Sequence, residues 1–91
     1  IILLFIPSRE NLDARANIAE VLRDIYFLTK TETRIALMVA SGDTPADISK
    51  KTRVSLATVR TQLSRTFEKT GASGQAELRG LIEKLSVFIA N

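Results

Sequence analysis

The sequence contains no cysteine and no histidine. The first absence removes a disulfide framework, a thiolate metal site and a cysteine nucleophile. The second removes the commonest general base and the commonest zinc ligand. Carboxylate pairs or a serine–lysine arrangement remain open to chemistry, but nothing in the chain is spaced for either. The protein is therefore not expected to be an enzyme, and no cofactor or metal is called for. An initiator methionine is absent too, and the chain opens on Ile1 to Ile6, an unbroken apolar run. Six residues cannot span a bilayer, which needs about twenty, and no basic flank marks a secretory leader. These absences point to a cytoplasmic protein with no membrane association. The chain reads as a fragment of a longer protein, with Ile1–Ile6 as the last strand of a domain upstream. No internal repeat or low-complexity tract interrupts it.

What is present fits one small domain. The 91 residues are 45% hydrophobic, enough for a modest core. The net charge of +3 is unevenly spread. Pro45 to Thr70 holds six basic residues (Lys50, Lys51, Arg53, Arg60, Arg65, Lys69) against Asp47 and Glu68, a local +4, which leaves −1 for the rest. A basic segment on a near-neutral body is an electrostatic footprint for a polyanion.

Periodicity and punctuation divide the chain into helices. Ile1–Ile6, closed by Pro7 and Ser8, has the branched residues of a buried strand. Alone it would be a sticky edge, expected to pair with a second chain or to lie disordered. From Asn11, a candidate cap, to Tyr26, the residues Ala14, Ile18, Val21, Leu22 and Ile25 recur at helical spacing. This predicts a linker helix packed on the helices C-terminal to it. Thr29-Lys30-Thr31-Glu32 is a capping-box pattern opening a helix to about Ser41, with Ile35, Leu37, Met38 and Val39 inward and Gly42 as its left-handed stop. Thr44-Pro45-Ala46-Asp47 starts a short helix to about Thr52, proline at its first position, with Ala46 and Ile48 inward. After a tight turn at Arg53-Val54, Ser55 caps the next helix and Gly71 stops it. Two helices joined by so short a turn form a helix-turn-helix. The last helix runs from Gln75 to about Ala90, with Leu78, Leu81, Ile82, Leu85, Phe88 and Ile89 in a stripe that Val87 falls outside. The stripe is wider than one small core requires, which leaves part of it for a partner helix.

The helix after Ser55 has two distinct sides. Leu56, Val59, Leu63 and Phe67 form its apolar stripe, while Thr58, Thr61, Ser64, Arg65 and Glu68 point away and Arg60 flanks. A face of small hydroxyls and arginines lets another macromolecule's edge come close. Met38 and Phe67 read as core, and Lys69 and Arg79 as solubilising charges.

The order of landmarks resembles the LuxR/GerE-type helix-turn-helix domain. They are Leu28-Thr29-x-x-Glu32, Gly42, Ile48-Ser49, Val54-Ser55-x-x-Thr58-Val59-Arg60, Lys69-Thr70-Gly71 and Gln75-Ala76-Glu77-Leu78. The resemblance covers about Phe27 to Ile89. It implies an all-α fold, a four-helix LuxR-type domain over 27–91. Ahead of it, 1–26 would hold the short N-terminal strand and the linker helix as the tail of a missing, sensory domain; a receiver domain is less favoured. It also implies sequence-specific binding of double-stranded DNA by the output domain of a bacterial transcription regulator, with the helix at 55–70 in the major groove. Matched by position, Arg60, Thr61 and Ser64 are candidates for base edges. Ser55, Thr58, Gln62 and Arg65 are candidates for phosphates, with Lys50 or Lys51 from the preceding helix. A homodimer is expected through Leu78, Leu81, Ile82, Leu85 and Phe88 of the last helix, and through the N-terminal strand where that is paired. RNA polymerase is a further partner that such a regulator admits.

Physics supports these roles. Arginine pairs bidentately with guanine, a threonine methyl packs on a thymine methyl, and hydroxyls and lysines near a helix N-terminus hold phosphates. Three positions depart from the family's pattern. Gln62 stands where histidine is frequent and Gly74 where arginine is, the latter at the loss of a polar tie between the last two helices. Arg53 stands where glycine is frequent. If the turn needs a positive φ there, Arg53 is strained by about 1–2 kcal/mol. The competing class is a helical dimerisation or protein-interaction module, like a sigma-factor region, without independent DNA binding.

Overall fold

A computed structural model describes the backbone of residues 10–90 and the side-chain surroundings of residues 17–87. Within that span the chain is five helices: α1 Glu10–Asp24, α2 Lys30–Ala40, α3 Pro45–Thr52, α4 Leu56–Thr70 and α5 Gln75–Ala90. The strand expected at Ile1–Ile6 lies outside the described residues.

Helix starts are set by short-range capping. The Thr29 hydroxyl accepts the Glu32 N–H at 3.0 Å and the Glu32 carboxylate accepts the Thr29 N–H at 2.9 Å. Thr44 and Asp47 repeat the arrangement at 3.0 and 3.1 Å, with Pro45 at the first helical position. Ser55 accepts the Thr58 N–H at 3.2 Å. Each exchange satisfies donors that a helix N-terminus leaves orphaned. Gly42 and Gly71, at φ 100 and 79, turn the chain out of α2 and α4. The start of α5 uses a device that periodicity could not reveal. Glu77 reaches back to accept the Ser73 N–H at 3.0 Å and the Ser73 hydroxyl, and these bonds lower its pKa.

Packing is organised by α2, which touches all four other helices. Val59 and Leu63 of α4 and Ile48 of α3 are buried in one core with Ile35, Ala36 and Val39 of α2. Ile18 and Leu22 of α1, with Leu78 and Ile82 of α5, complete the same core. α1 is thus packed on the helices C-terminal to it, against α2 and α5. Thr66 is fully buried beside these apolar groups, its hydroxyl spent on the Gln62 carbonyl at 2.8 Å.

Several expected positions are corrected. α1 begins at Glu10, so Asn11 lies in its first turn and not at its cap. Ile25 is 64% exposed, because α1 ends at Asp24 and the chain swings away through Phe27, itself left-handed at φ 61. Ala46 is exposed; the two-turn α3 presses only Ile48 fully into the core. Lys69 is not a solubilising charge. Its ammonium lies 2.7 Å from the Glu32 carboxylate and donates to the Phe27 carbonyl at 3.1 Å, tying the end of α4 to the α1–α2 junction. Leu78 and Ile82, at 0% and 4% exposure, are consumed by the chain's own core and present no partner surface. Leu81 and Leu85 are half-buried, and the Phe88 side chain lies outside the described residues.

Candidate nucleic-acid interface

The helix-turn-helix is built from α3, the turn at Arg53–Ser55 and α4. Ser49 clasps the turn from both ends of its own residue. Its carbonyl accepts the N–H groups of Arg53 and of Val54, the latter at 3.3 Å. Its hydroxyl donates to the Val54 carbonyl at 2.6 Å. Arg53 sits in the left-handed region at φ 58 and ψ 35, so the turn does demand a positive φ from an arginine. At such a position an L-residue is strained by about 1–2 kcal/mol.

α4 is anchored on one side and open on the other. Val59, Leu63 and Thr66 are buried, and Phe67 packs half-buried at the core's margin. Thr58, Arg60, Thr61, Ser64, Arg65 and Glu68 are all exposed. The hydroxyls on this face differ in what they can still offer. Ser55 Oγ donates to Thr58 Oγ1 at 2.9 Å, which leaves the Thr58 proton free for an outside acceptor such as a phosphate oxygen. Thr61 donates back to the Ala57 carbonyl at 3.1 Å, so it keeps a lone pair and a methyl for the edge of a base.

The cations divide just as clearly. Lys51 lies 2.8 Å from Asp43, whose carboxylate raises the lysine's pKa, and Lys69 is held by Glu32. Among the described residues those are the ion pairs that form. Lys50, Arg53, Arg60 and Arg65 are exposed without a carboxylate partner among them. Of the two lysines expected near phosphate, Lys50 is the free one.

Gln62 departs from its expected outward role. It is half-buried, with Oε1 buried and unpartnered, in a recess shared with Arg34, Thr52 and Val54. That leaves at most its NH2 group for an outside partner. The recess holds about 160 Å³, well short of the roughly 300 Å³ at which small-molecule sites begin. Among the described residues no helix is long and apolar enough to cross a membrane.

Sequence reasoning missed three contributors to this arrangement: Ser49 as clasp, Glu32 as the buried partner of Lys69, and Thr66 as a core residue. The signal for Ser49 was its place five residues before Val54 in the turn. For Glu32 and Lys69, which are 37 residues apart, no local signal existed.

No curated protein and no solved structure matches the chain. Residues 27–81 match the family described as GerE, bacterial regulatory proteins, luxR family. The match runs from Phe27 in the α1–α2 junction to Leu81 in α5, and takes in the whole helix-turn-helix and both tethers of α4. With more than half its length inside that match, the chain belongs to the luxR family of bacterial regulatory proteins, a family of DNA-binding regulators of transcription.

Proposed function

We propose that this chain reads a DNA operator with the outward face of α4 in the major groove. The observation that carries the reading is the split of α4 into a buried side and a side of unpaired arginines and small hydroxyls. Arg60, Thr61 and Ser64 face base edges. Ser55, Thr58 and Arg65 hold phosphates together with Lys50, and Gln62 contributes its NH2 group at most. The α4 N-terminus carries no acidic side chain in its first turn to repel a phosphate. Two protomers present two such helices to a partly palindromic site, with half-sites about one helical turn apart. Leu81 and Leu85, one turn apart on α5, with Phe88, supply the contact between protomers.

Binding of the chain to duplex DNA across a salt series tests the reading. Each phosphate neutralised contributes about −0.9 to the slope of log affinity against log salt. A flat response, or no binding at low salt, would overturn it in favour of a protein-interaction module. For specificity, Arg60→Ala should cost about 1–3 kcal/mol on the preferred duplex and relax the choice at one base pair. Equal weakening on all sequences would make Arg60 a phosphate ligand instead.

A further inference from the structure

We infer that Arg53, the left-handed residue of the helix-turn-helix turn, is an additional phosphate ligand of the DNA backbone. The inference rests on the DNA-binding reading above. Arg53 is exposed and has no carboxylate partner among the described residues, whereas Lys51 nearby is neutralised by Asp43. Of the cations on α3, the turn and α4, it is one of four without a carboxylate partner among the described residues, and it stands between the other three along the chain: Lys50 on α3 before it, Arg60 and Arg65 on α4 after it. Two residues on are Ser55 and then Thr58, whose hydroxyl proton is unspent. A duplex seated on α4 therefore passes the turn with its backbone, and a guanidinium there can take two phosphate oxygens at once.

The backbone adds a reason for an arginine in that place. The Ser49 clasp holds the turn left-handed whatever side chain occupies it, because all its bonds run to the backbone of residues 53 and 54. Glycine or asparagine would adopt φ 58 at little cost. Arginine gains nothing from the fold at this position; its side chain makes no hydrogen bond or ion pair within the described residues. Its gain lies outside the chain, where a strained residue commonly serves a ligand.

The test measures non-specific binding, which reports phosphates alone. A labelled mixed-sequence duplex of about 30 base pairs is titrated with the 91-residue chain, Arg53→Asn and Arg53→Lys from about 25 to about 200 mM KCl. Asparagine keeps the left-handed turn and removes the charge; lysine keeps the charge. Arg53→Asn is expected to bind more weakly at low salt, with a log–log slope shallower by about 0.9, so that its deficit shrinks roughly sixfold across the series. Arg53→Lys should keep the steeper slope. The melting temperature of Arg53→Asn should be no lower than that of the parent, which separates lost contact from lost fold. An unchanged slope in Arg53→Asn, or the shallower slope in both variants, overturns the inference while leaving DNA binding intact. Failure of the parent chain to bind in a salt-dependent way overturns the reading beneath it, and this inference with it.

Discussion

Lys69→Met removes the ammonium that joins the end of α4 to the α1–α2 junction and keeps most of the aliphatic stem. Its cost stems from an asymmetry of burial. The Glu32 side chain is 5% exposed and the Lys69 side chain 34%. Breaking a fully buried pair costs about 3–5 kcal/mol, because the remaining charge is stranded; a surface pair is worth about 0–1 kcal/mol. With one partner buried and the other a third exposed, the expected loss is about 2 kcal/mol. For a domain of this size that lowers the melting temperature by roughly 8–15 °C. Glu32→Gln should be milder, since it leaves the stranded charge on the partner that water reaches. pH separates this from a packing defect. Burial pushes the Glu32 pKa up, but the Lys69 hydrogen bond, the Thr29 N–H, the lysine's charge and the Thr29 hydroxyl together bring it below its ordinary value. A lowered folded pKa contributes stability that is complete above the unfolded value of about 4.3 and is lost as pH falls through the folded one. The gap between parent and Lys69→Met should therefore be full at neutral pH and narrow below about pH 4, read by circular dichroism melts along a pH series. A shift under about 2 °C at pH 7, a gap indifferent to pH, or a Glu32→Gln worse than Lys69→Met would each refute the reasoning.

Packing and backbone conformation give two further outcomes. Leu22 is fully buried in the core that α1 shares with α2 and α5, so Leu22→Ala should cost about 3 kcal/mol in urea unfolding. If α1 were only draped on the surface, the loss would stay below about 1 kcal/mol. Gly71 has φ 79, and a Cβ there would meet nothing within 4 Å. Gly71→Ala should then register the left-handed penalty alone, offset in part by a stiffer unfolded chain, for a net loss of about 1 kcal/mol by the same measurement.

Local chemistry made much of this fold legible. A cap and its reciprocal acid lie three residues apart, so Thr29 with Glu32 and Thr44 with Asp47 announce helix starts whatever the tertiary structure does. The apolar period of α4 separated its anchored side from its open side for the same reason: 3.6 residues per turn is a property of the helix alone. What stayed hidden depended on which element packs where. Ile25 keeps the period of α1 but lies past its last packed turn. Leu78 and Ile82 looked available to a partner because nothing in the α5 stripe says that α1 lies close by. Thr66 falls outside the apolar period of α4, yet a hydroxyl that returns its proton to the carbonyl four residues back can be buried at little cost. Lys69 is the sharpest case. A lysine at the end of a helix is usually solvated, and only the fold brings it to a glutamate buried at the start of another.

These hidden contacts bear on the readable face more than the legible ones do. α4 is secured at its start by Ser49, through the backbone of the turn, and at its end by Lys69, through Glu32 and the Phe27 carbonyl. Between them Val59, Leu63 and Thr66 hold it against α2. None of these anchors uses a side chain of the outward face, whose hydroxyls bond only within α4 and its cap. On the reading proposed above, stability and readout thus draw on separate residues of one helix. Arg60 or Ser64 can change without loosening the scaffold, and on the same reading the backbone of α4 is already fixed before DNA arrives. The second tether ends on the backbone of the α1–α2 junction, so α1, α2 and the far end of α4 meet at one point. Lys69 is thus a direct polar link between that junction and the far end of α4, at the opposite end from the Ser49 turn.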